Sequence, residues 1–461
     1  MGDLKFDVCI IGGGPAGVAA GLRVLEAGHT VCIVERDQFP RGHVGESLSR
    51  GALRLLDSIG LTRAFQDARP RPSNEARISW AEERAVRKTG HAWLVDRAPL
   101  DLSLLCAARR SGITVFQPGR AHARELPDGW CVAVEGLQPA TIACDVLIDA
   151  AGRVGAIRGR RVRYSPPTLA LWGTFAARAG ETRLEALAEG WIWAGPLSDD
   201  RLSVMFVCDP AHVKRGGHGS IEATLRATMS NSSLLAEFSG GRLLSPVLAL
   251  DASCTYSGDT VGPRHVRAGE AGHTLDPLSS SGVEAALRSG ISAAAVANSI
   301  LDTSTSIGIC RQFLEDRVEE LVKAQSAWMA GYYGQVERFA LQPFWSRRGS
   351  RAQARGVAVQ PTAPAMPRRQ ANIQVNPMLE IGSSACLLNN RIALVPVVKT
   401  SQLPTSVGFV NGIPIVPLIG KLRGLTTWRS VNEVLSNCCS ADQRDALANW
   451  LWSSNVIVHC D

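Results

Sequence analysis

The chain has 461 residues, of which 45% are hydrophobic and 20% are charged, and its formal net charge is +7. This length can bury a large core divided among two or three domains, and the composition is that of a soluble globular protein. No run of 18 apolar residues is present to cross a membrane, and the N-terminus lacks an export signal. We therefore expect a cytoplasmic protein without a membrane partner, in which the 12 cysteines are reduced core thiols.

The first 36 residues follow the pattern strand, glycine-rich loop, helix, strand. After the apolar run that ends at Ile11, Gly12 permits a tight turn, Gly14 lets the backbone approach a pyrophosphate, and Gly17 allows close packing of helix and strand. Glu35 closes the second strand, where an acid can bind ribose hydroxyls. This unit therefore predicts a dinucleotide site. Its predicted cofactor-binding residues are Gly12, Gly14, Pro15, Ala16, Gly17, Glu35 and Arg36.

Two later glycine-bearing segments have the order and spacing with which one large chain wraps FAD. The first runs from Asp149 to Arg153, and the second from Gly269 to Pro277 is followed by Gly282. A lone Gly-x-Gly-x-x-Gly also occurs in ordinary turns, whereas this combination indicates a flavin. A helix that begins near Gly282 could direct its positive end at the ring or the phosphates. The cofactor-binding residues predicted here are Gly152, Glu270, Asp276, Pro277, Ser281, Gly282 and Val283.

The segment from Pro40 to Leu48 contains small residues that would let the backbone lie against a flat ring. We predict Glu46 and Ser47 as cofactor contacts, with an ordinary loop as the alternative. Arg97 is a candidate flavin-side cation or, alternatively, a member of a surface salt bridge. The candidate acid/base residues are His43, Glu46 and His273, each of which could instead be a structural hydrogen-bonding residue. No cysteine or histidine spacing predicts a metal site.

Between residues 166 and 257 the pattern changes to alternating, aromatic-bearing segments that predict an antiparallel sheet. Trp191 and Trp193 lie in one of these segments and are predicted substrate-pocket residues, with a core position as the alternative. The fold class is therefore α/β, with a Rossmann-like FAD-binding domain, an inserted antiparallel-sheet substrate domain and a small C-terminal α+β domain. The predicted ranges are 1–165 and 258–342 for FAD binding, 166–257 for the sheet, 343–376 for an Arg/Pro-rich linker, and 377–461 for the C-terminal domain.

The predicted linker contains no acidic residue between Pro343 and Leu379. No aromatic residues are interleaved with its arginines, so we expect no nucleic-acid partner. A solvated linker and a docking segment for an acidic protein both remain open. The arginines are Arg347, Arg348, Arg351, Arg355, Arg368 and Arg369.

Residues 5 to 340 resemble the flavin-dependent monooxygenase superfamily with the p-hydroxybenzoate hydroxylase fold, and within it the tryptophan halogenase and geranylgeranyl reductase branch. The segments that carry the resemblance are Val44-Gly45-Glu46-Ser47, Asp149-Ala150-Ala151-Gly152-Arg153, Trp191-Ile192-Trp193-Ala194-Gly195-Pro196 and Asp276-Pro277-Leu278-Ser279-Ser280-Ser281-Gly282-Val283. In halogenases the Trp-x-Trp-x-x-Pro segment is described as a guard against nicotinamide binding. The resemblance thus implies reduced FAD supplied by a separate flavin reductase, with O2 as co-substrate.

Two departures from the halogenase pattern bear on the chemistry. The lysine that captures hypohalous acid in halogenases has no counterpart between Lys5 and Lys88, and Ser279 stands where tryptophan halogenases place a glutamate. The resemblance then implies direct hydroxylation through a flavin hydroperoxide.

The chain further resembles the tryptophan-hydroxylating monooxygenases of cysteine tryptophylquinone biogenesis. This resemblance implies a polypeptide substrate that bears the target tryptophan, either free or held by its crosslinking enzyme. The tail from residue 377 resembles small winged-helix peptide-binding modules, which implies partner docking, with a plain C-terminal cap as the alternative. Other functional alternatives are a small-aromatic hydroxylase or halogenase, an isoprenoid reductase, and a recognition scaffold that only binds flavin.

Overall fold

The computed structural model describes residues 4–82, 85–215, 219–303, 305–350, 366–368, 370–403 and 405–460. The chain divides into two compact units, residues 1–358 and residues 359–461. Within the described residues, no helix has the length and apolar character needed to cross a bilayer. The division falls inside the predicted linker.

The strands of unit 1, in chain order, are β1 (Leu4–Ile11), β2 (Val31–Val34), β3 (Glu46–Leu48), β4 (Arg71–Ser79), β5 (Val86–Val95), β6 (Thr114–Phe116), β7 (Gly119–Leu126), β8 (Gly129–Gly136), β9 (Ala140–Asp149), β10 (Arg161–Arg163), β11 (Leu169–Ala176), β12 (Thr182–Leu187), β13 (Gly190–Ser198), β14 (Arg201–Cys208), β15 (Leu248–Asp251), β16 (Thr255–Ser257), β17 (Val261–Gly262) and β18 (His265–Arg267). Its helices are α1 (Pro15–Glu26), α2 (Arg50–Ser58), α3 (Thr62–Asp67), α4 (Arg97–Arg110), α5 (Pro210–Arg215), α6 (Ile221–Ser230), α7 (Gly282–Leu301), α8 (Ile307–Gly334) and α9 (Pro343–Ser346).

A largely parallel sheet forms the centre of unit 1. Its strand order is β17-β18-β9-β1-β2-β6, and the hairpin β7–β8 extends it beside β9. The last four residues of β1 are all buried, and Ile11 pairs with Val34 on one side and Asp149 on the other. Continuous apolar runs are expected when both faces of a parallel sheet are covered. The carboxyl ends of β1, β2 and β9 therefore meet at one edge, where the predicted glycine-bearing segments begin.

A second sheet, which we call the roof sheet, has the strand order β15-β11-β14-β13-β12-β4-β5-β3. Its central strands lie in the predicted range 166–257, but β3, β4 and β5 come from before residue 165, which differs from the predicted boundaries. β4 joins the sheet by parallel pairing of Thr182 with Ala76. The sequence of β4 is mostly polar, because much of this strand is exposed, so it carries no alternating apolar pattern that would predict a strand.

The two faces of the roof sheet are covered by different elements. On one face Phe175 and Phe206 pack with Leu225 of α6. The other face packs against the end of α8 and against α9, with aromatic side chains that we call the aromatic wall. The aromatic wall consists of Trp80, Trp172, Trp191, Trp193, Trp328, Tyr332, Tyr333, Phe344 and Trp345.

The start of the predicted Arg/Pro-rich linker is packed within unit 1, which corrects the expectation of a solvated segment from residue 343. Trp345 is buried and donates its indole N–H to the carbonyl oxygen of Leu187 at 2.7 Å. Arg348 is buried and pairs with Asp209 at 2.9 Å, and Arg347 also pairs with Asp209. The acid that neutralises these arginines lies far away in sequence, so local composition could not reveal it. Arg368 is exposed, whereas Arg351, Arg355 and Arg369 lie outside the described residues.

The described part of unit 2 contains five strands, then three helices and a sixth strand; two of the strands are nine residues long, which is longer than predicted. Its core is apolar and includes Ile419, Trp428, Leu435 and Leu451. The predicted α/β fold class, with a C-terminal α+β region, is thus confirmed. The elements are β19 (Ile373–Val375), β20 (Glu380–Leu388), β21 (Arg391–Lys399), β22 (Phe409–Val410), β23 (Ile413–Pro414), α10 (Ile415–Leu422), α11 (Trp428–Cys438), α12 (Ala441–Ser453) and β24 (Ile457–His459).

Candidate dinucleotide and substrate site

The glycine loop between β1 and α1 forms a cradle that side chains would fill. Gly12 has a φ of +111°, and a Cβ atom there would lie 2.2 Å from the carbonyl oxygen of Ala150. A Cβ at Gly17 would lie 1.9 Å from the carbonyl oxygen of Gly12. No side chain caps the N-terminus of α1, which begins at Pro15. The first N–H groups of α1 are therefore available to an anion such as a pyrophosphate, and the loop fits a dinucleotide.

Glu35 lies against this loop, where the sequence places it. Its buried carboxylate accepts the N–H of Gly13 at 2.7 Å and the N–H of Asp37 at 2.8 Å. By contrast, Arg36 is exposed and lies 3.6 Å from Asp37. Glu35 thus remains a proposed ribose ligand, whereas the exposed position of Arg36 does not support its proposed role.

Arg41 is the cation beside the glycine loop, and sequence reasoning did not select it. One of its guanidinium nitrogens would lie 3.5 Å from a Cβ on Gly14, and it pairs with Asp101 at 3.2 Å and Glu35 at 3.5 Å. Glu35 is only six residues away in sequence, but Asp101 is 60 residues away, and this second contact becomes apparent only in the tertiary fold. The one feature of the sequence that pointed to Arg41 was its position just before the small residues of the Pro40–Leu48 segment.

We expect Arg41→Ala to raise the dissociation constant for FAD by about tenfold to a hundredfold. Losing a hydrogen bond to a charged group weakens binding by roughly 1.5–3 kcal/mol. Arg317→Ala is the matched control and should change this constant less than twofold, because Arg317 is an exposed arginine outside the predicted cofactor-binding residues and pairs with Glu320 at 3.3 Å. Titration of each apoprotein with FAD measures both values, and equal effects of the two substitutions would contradict the assignment of Arg41.

A buried charge cluster lies behind the Pro40–Leu48 segment. Arg97 is 7% exposed, pairs with Glu46 and donates to Asp101, which is fully buried, at 2.8 Å. Burial raises the pKa of Asp101, but the charge and hydrogen bonds of Arg97 outweigh burial and hold that pKa below its usual value. Burial raises the pKa of Glu46, and Arg97 opposes this shift only in part. Arg97 is therefore not in a surface salt bridge, and Glu46 acts as an acid/base group only if Arg97 releases it.

The two candidate histidines are neutral at physiological pH. Burial, together with the nearby positive charge of Arg97, lowers the pKa of His43 to about 4. Burial and Arg161 lower the pKa of His273 to about 4. One ring nitrogen of His43 lies 3.2 Å from the carbonyl oxygen of Val44. A neutral imidazole can accept a proton, so the charge state leaves both histidines as candidate bases. The two residues differ in their position relative to the cavity described next.

His43 lines a cavity of about 160 Å³ between the Pro40–Leu48 segment and the roof sheet. Trp172, Leu197 and Leu244 supply apolar lining, and an Asp96–Arg201 ion pair of 3.0 Å forms a polar part of the lining. Cavities of roughly this volume accept a single aromatic ring. His273 does not line this cavity. Of the two candidate histidines, His43 is therefore the one that faces this cavity.

The predicted substrate-pocket tryptophans do not line the cavity. Trp191 is buried in the aromatic wall and donates its indole N–H to the hydroxyl of Tyr333 at 3.0 Å. Trp193 is half-buried and lies over Gly195, where a Cβ would be 2.6 Å from its ring. The core alternative thus describes Trp191. Trp172, which the sequence did not single out, is the tryptophan that faces the cavity.

The two later FAD segments contact each other, and the start of α7 lies beside the Pro40–Leu48 segment. Gly152 has a φ of +77°, and Glu270 pairs with Arg153 at 3.4 Å. No side chain caps the N-terminus of α7, and a Cβ on Gly282 would lie 3.7 Å from a carboxylate oxygen of Glu46. The helix N-terminus therefore lies beside Glu46. Asp276 and Val283 are buried, Ser47, Pro277 and Ser281 are half-buried, and Gly282 is exposed.

Comparisons with known proteins agree with this geometry. The FAD binding domain family matches residues 5–160. A tryptophan 2-halogenase of Chondromyces crocatus is 28% identical over 335 residues, and this similarity covers 67% of the chain and 64% of that protein. A flavin-dependent halogenase of Metacordyceps chlamydosporia is 27% identical, and this similarity covers 63% of the chain and 64% of that protein. The chain thus aligns with slightly less than two thirds of these relatives.

Two solved structures match nearly the whole chain. The first is the peptidyl tryptophan dihydroxylase QhpG, essential for tryptophylquinone cofactor biogenesis, with 25% identity, a TM-score of 0.74, and 98% of this chain and 99% of that chain covered. The second is CmlS, a flavin-dependent halogenase, with 20% identity and a TM-score of 0.77. This match covers 100% of this chain and 96% of that chain, and it shows a shared fold. Residues 5–160 therefore match an FAD binding domain, FAD is the cofactor, and the chain is similar to flavin-dependent halogenases and to a peptidyl tryptophan dihydroxylase.

Proposed function

We propose that the protein is an FAD-dependent monooxygenase that hydroxylates a tryptophan side chain within a polypeptide, as in cysteine tryptophylquinone biogenesis. The observation that carries this proposal is the absence of any lysine between Lys5 and Lys88. The backbone of Lys88 pairs with Ala76 and lies seven residues before Val95, the partner of Glu46. That separation is roughly 23 Å along the strand. A halogenase-type lysine beside the cavity therefore has no counterpart, which favours direct oxygen transfer.

Reduced FAD supplies the activated oxygen when it is bound, and the chain supplies the surroundings. Trp172, Leu197 and Leu244 would hold an aromatic ring and exclude water from the cavity. His43 has a pKa of about 4 and is therefore neutral at physiological pH. Its imidazole would accept the proton that the ring loses after oxygen transfer. The ring loses one hydrogen and gains one hydroxyl group per oxygenation. A separate flavin reductase would provide the two electrons for each turnover.

The full-length similarity to a peptidyl tryptophan dihydroxylase supports a polypeptide substrate. Unit 2 by itself does not separate hydroxylase from halogenase, because the halogenase structure also covers the whole chain. Unit 2 does contain a groove of about 450 Å³ beside β19, bordered by Leu379, Arg423 and Leu425. β19 pairs with β24 along one edge. On the other edge the N–H of Ile373 already binds the carbonyl oxygen of Thr426 at 3.0 Å, so an extended peptide could pair there only beyond this bond. We include this groove in the proposal as the docking site for the polypeptide.

A halogenase or small-aromatic hydroxylase is the second candidate. The observation that favours it is the similarity to curated halogenases, at 28% and 27% identity. Such an enzyme would act on free indoles or phenols, and a halogenase would require halide. The two candidates therefore differ in substrate and in the atom that is added.

Mass spectrometry of the products tests the proposal. The protein is incubated aerobically with a crosslinked tryptophan-bearing polypeptide, FAD and a flavin reductase, with and without bromide. We expect a gain of one or two oxygen atoms on tryptophan, independent of bromide. Unchanged polypeptide after verified flavin reoxidation, or brominated product, would contradict it. In a separate control, an isoprenoid is incubated without oxygen with the protein and reduced FAD. Reduction of its double bonds would instead identify a reductase.

A further inference from the structure

Asp276 is a buried carboxylate without a cationic partner. It is 4% exposed, and no lysine or arginine within the described residues lies within 4.0 Å of its oxygens. One oxygen accepts the N–H of Leu278 at 2.9 Å, and the other accepts the hydroxyl hydrogen of Tyr333 at 2.9 Å. The positive charge of Arg348 acts on it only through space, because that guanidinium pairs with Asp209. These two neutral donors are thus what stabilises the negative charge.

Tyr333 is positioned so that its proton points to Asp276. The phenol oxygen accepts the indole N–H of Trp191 at 3.0 Å, which leaves the hydroxyl hydrogen free to be donated to the carboxylate. Tyr333 is 1% exposed, so water does not compete for either bond. Trp191 belongs to β13, Tyr333 to the end of α8, and Asp276 to the segment before α7. One hydroxyl group therefore joins three elements that are distant in sequence.

Burial and hydrogen bonding act in opposite directions on Asp276. Burial raises the pKa of its carboxyl group above the usual value, and the donors from Leu278 and Tyr333 together with the charge of Arg348 oppose this shift only in part. Removal of the Tyr333 donor would therefore favour the protonated form. Because Asp276 lies in the segment predicted to contact FAD, a change in its charge would be felt by the flavin.

We propose that Tyr333 is a positioning residue that keeps the Asp276 carboxylate ionised, and that it thereby lowers the reduction potential of bound FAD. A nearby negative charge disfavours the electron-rich reduced flavin, and such local charges are a means by which proteins tune this cofactor. The proposal depends on FAD binding but not on the hydroxylation proposed above. The midpoint potential is measured without substrate, so the two proposals can fail separately.

The experiment is a double-mutant cycle on the FAD-loaded protein. We expect Tyr333→Phe to shift the midpoint potential to a more positive value and to alter the visible absorption of bound FAD. Asp276→Asn, which removes the charge and keeps the shape, should shift the potential in the same direction. The double variant should show no further shift, since both changes remove the same ionised carboxylate. Tyr332→Phe is the matched control, because this neighbouring ring packs on Trp80 and Trp328 in the same aromatic wall.

Additive shifts in the double variant would overturn the proposal, since they would show that Tyr333 acts independently of Asp276. A shift of the same size for Tyr332→Phe would also overturn it, because loss of packing would then explain the result. If Tyr333→Phe does not fold, Asp276→Asn alone tests the carboxylate: a midpoint potential equal to that of the unmodified protein would contradict the proposal.

Discussion

Replacement of Arg97 with methionine should lower the free energy of unfolding by about 3–5 kcal/mol, which is the usual effect of removing one partner of a buried ion pair. Arg97 is the cation of the cluster with Glu46 and Asp101, and methionine retains much of its length. The substitution leaves two buried carboxylates, and only Asp101 keeps a neighbouring cation, Arg41 at 3.2 Å. Urea unfolding of the apoprotein measures the change.

The effect of Arg97→Met should shrink as the pH falls from 7 to 5. In the unmodified protein Arg97 holds the pKa of Asp101 below its usual value, so this group contributes stability that is present at neutral pH and lost as pH falls through its folded-state pKa. In the variant both carboxyl groups have raised pKa values and become protonated at mildly acidic pH, which relieves the buried charge. A destabilisation that grows on acidification would contradict this account.

Arg288→Met is the control for Arg97→Met. Arg288 pairs with Glu284 at 2.9 Å across one helical turn, but its side chain is 63% exposed. Exposed pairs of this kind contribute about 0.3–0.5 kcal/mol. A loss of similar size in both variants would show that the cluster behind the Pro40–Leu48 segment has no special role in stability.

Gly290→Ala should lower the free energy of unfolding by about 1–3 kcal/mol and weaken FAD binding as well. Gly290 lies in α7 where this helix crosses α1, and a Cβ atom there would lie 2.3 Å from the carbonyl oxygen of Ala16. The obstacle is backbone, so a side-chain rotation cannot relieve it and the two helices must separate. Ala16 belongs to the first turn of α1, whose N–H groups would hold the pyrophosphate. Urea unfolding and FAD titration measure the two effects.

Gly308→Ala provides the matched control within the same unit. Gly308 is also helical, but the neighbouring atom that a Cβ there would meet is the hydroxyl oxygen of Ser306, at a comfortable 3.9 Å. Alanine has a higher helix propensity than glycine by about 1 kcal/mol, so stability should stay equal or increase. If Gly290→Ala is tolerated as well as Gly308→Ala, the close approach of α7 to α1 is not required.

The glycine loop could be predicted from sequence because its glycines and the flanking apolar runs form a local pattern, although the backbone that Gly12 approaches lies at the end of β9. Gly12 and Gly17 meet backbone atoms of their own strand–loop–helix unit or of the neighbouring β9 end, and Glu35 follows the next buried strand. The strands of the parallel sheet could be predicted for the same reason, since both faces are covered and the apolar runs are continuous. The predicted FAD cofactor follows from these local patterns.

The cation and the cavity could not be predicted, because they arise from contacts between distant segments. Arg41 meets Asp101 across 60 residues, and no local pattern distinguishes it from the exposed Arg36. Trp172 faces the cavity while Trp191 lies in the core, although both occupy roof-sheet strands with similar apolar sequences. Strand alternation predicts which residues share a face, but not which part of that face is left open.

The aromatic wall also provides an optical reporter. Six of the protein's 11 tryptophans, Trp80, Trp172, Trp191, Trp193, Trp328 and Trp345, are gathered there. Indole emission overlaps the absorption of the isoalloxazine ring, so energy transfer from these neighbours should dominate the quenching seen when the coloured cofactor is added. Ultraviolet-excited fluorescence can thus follow loading and release of the prosthetic group in real time, without an added dye.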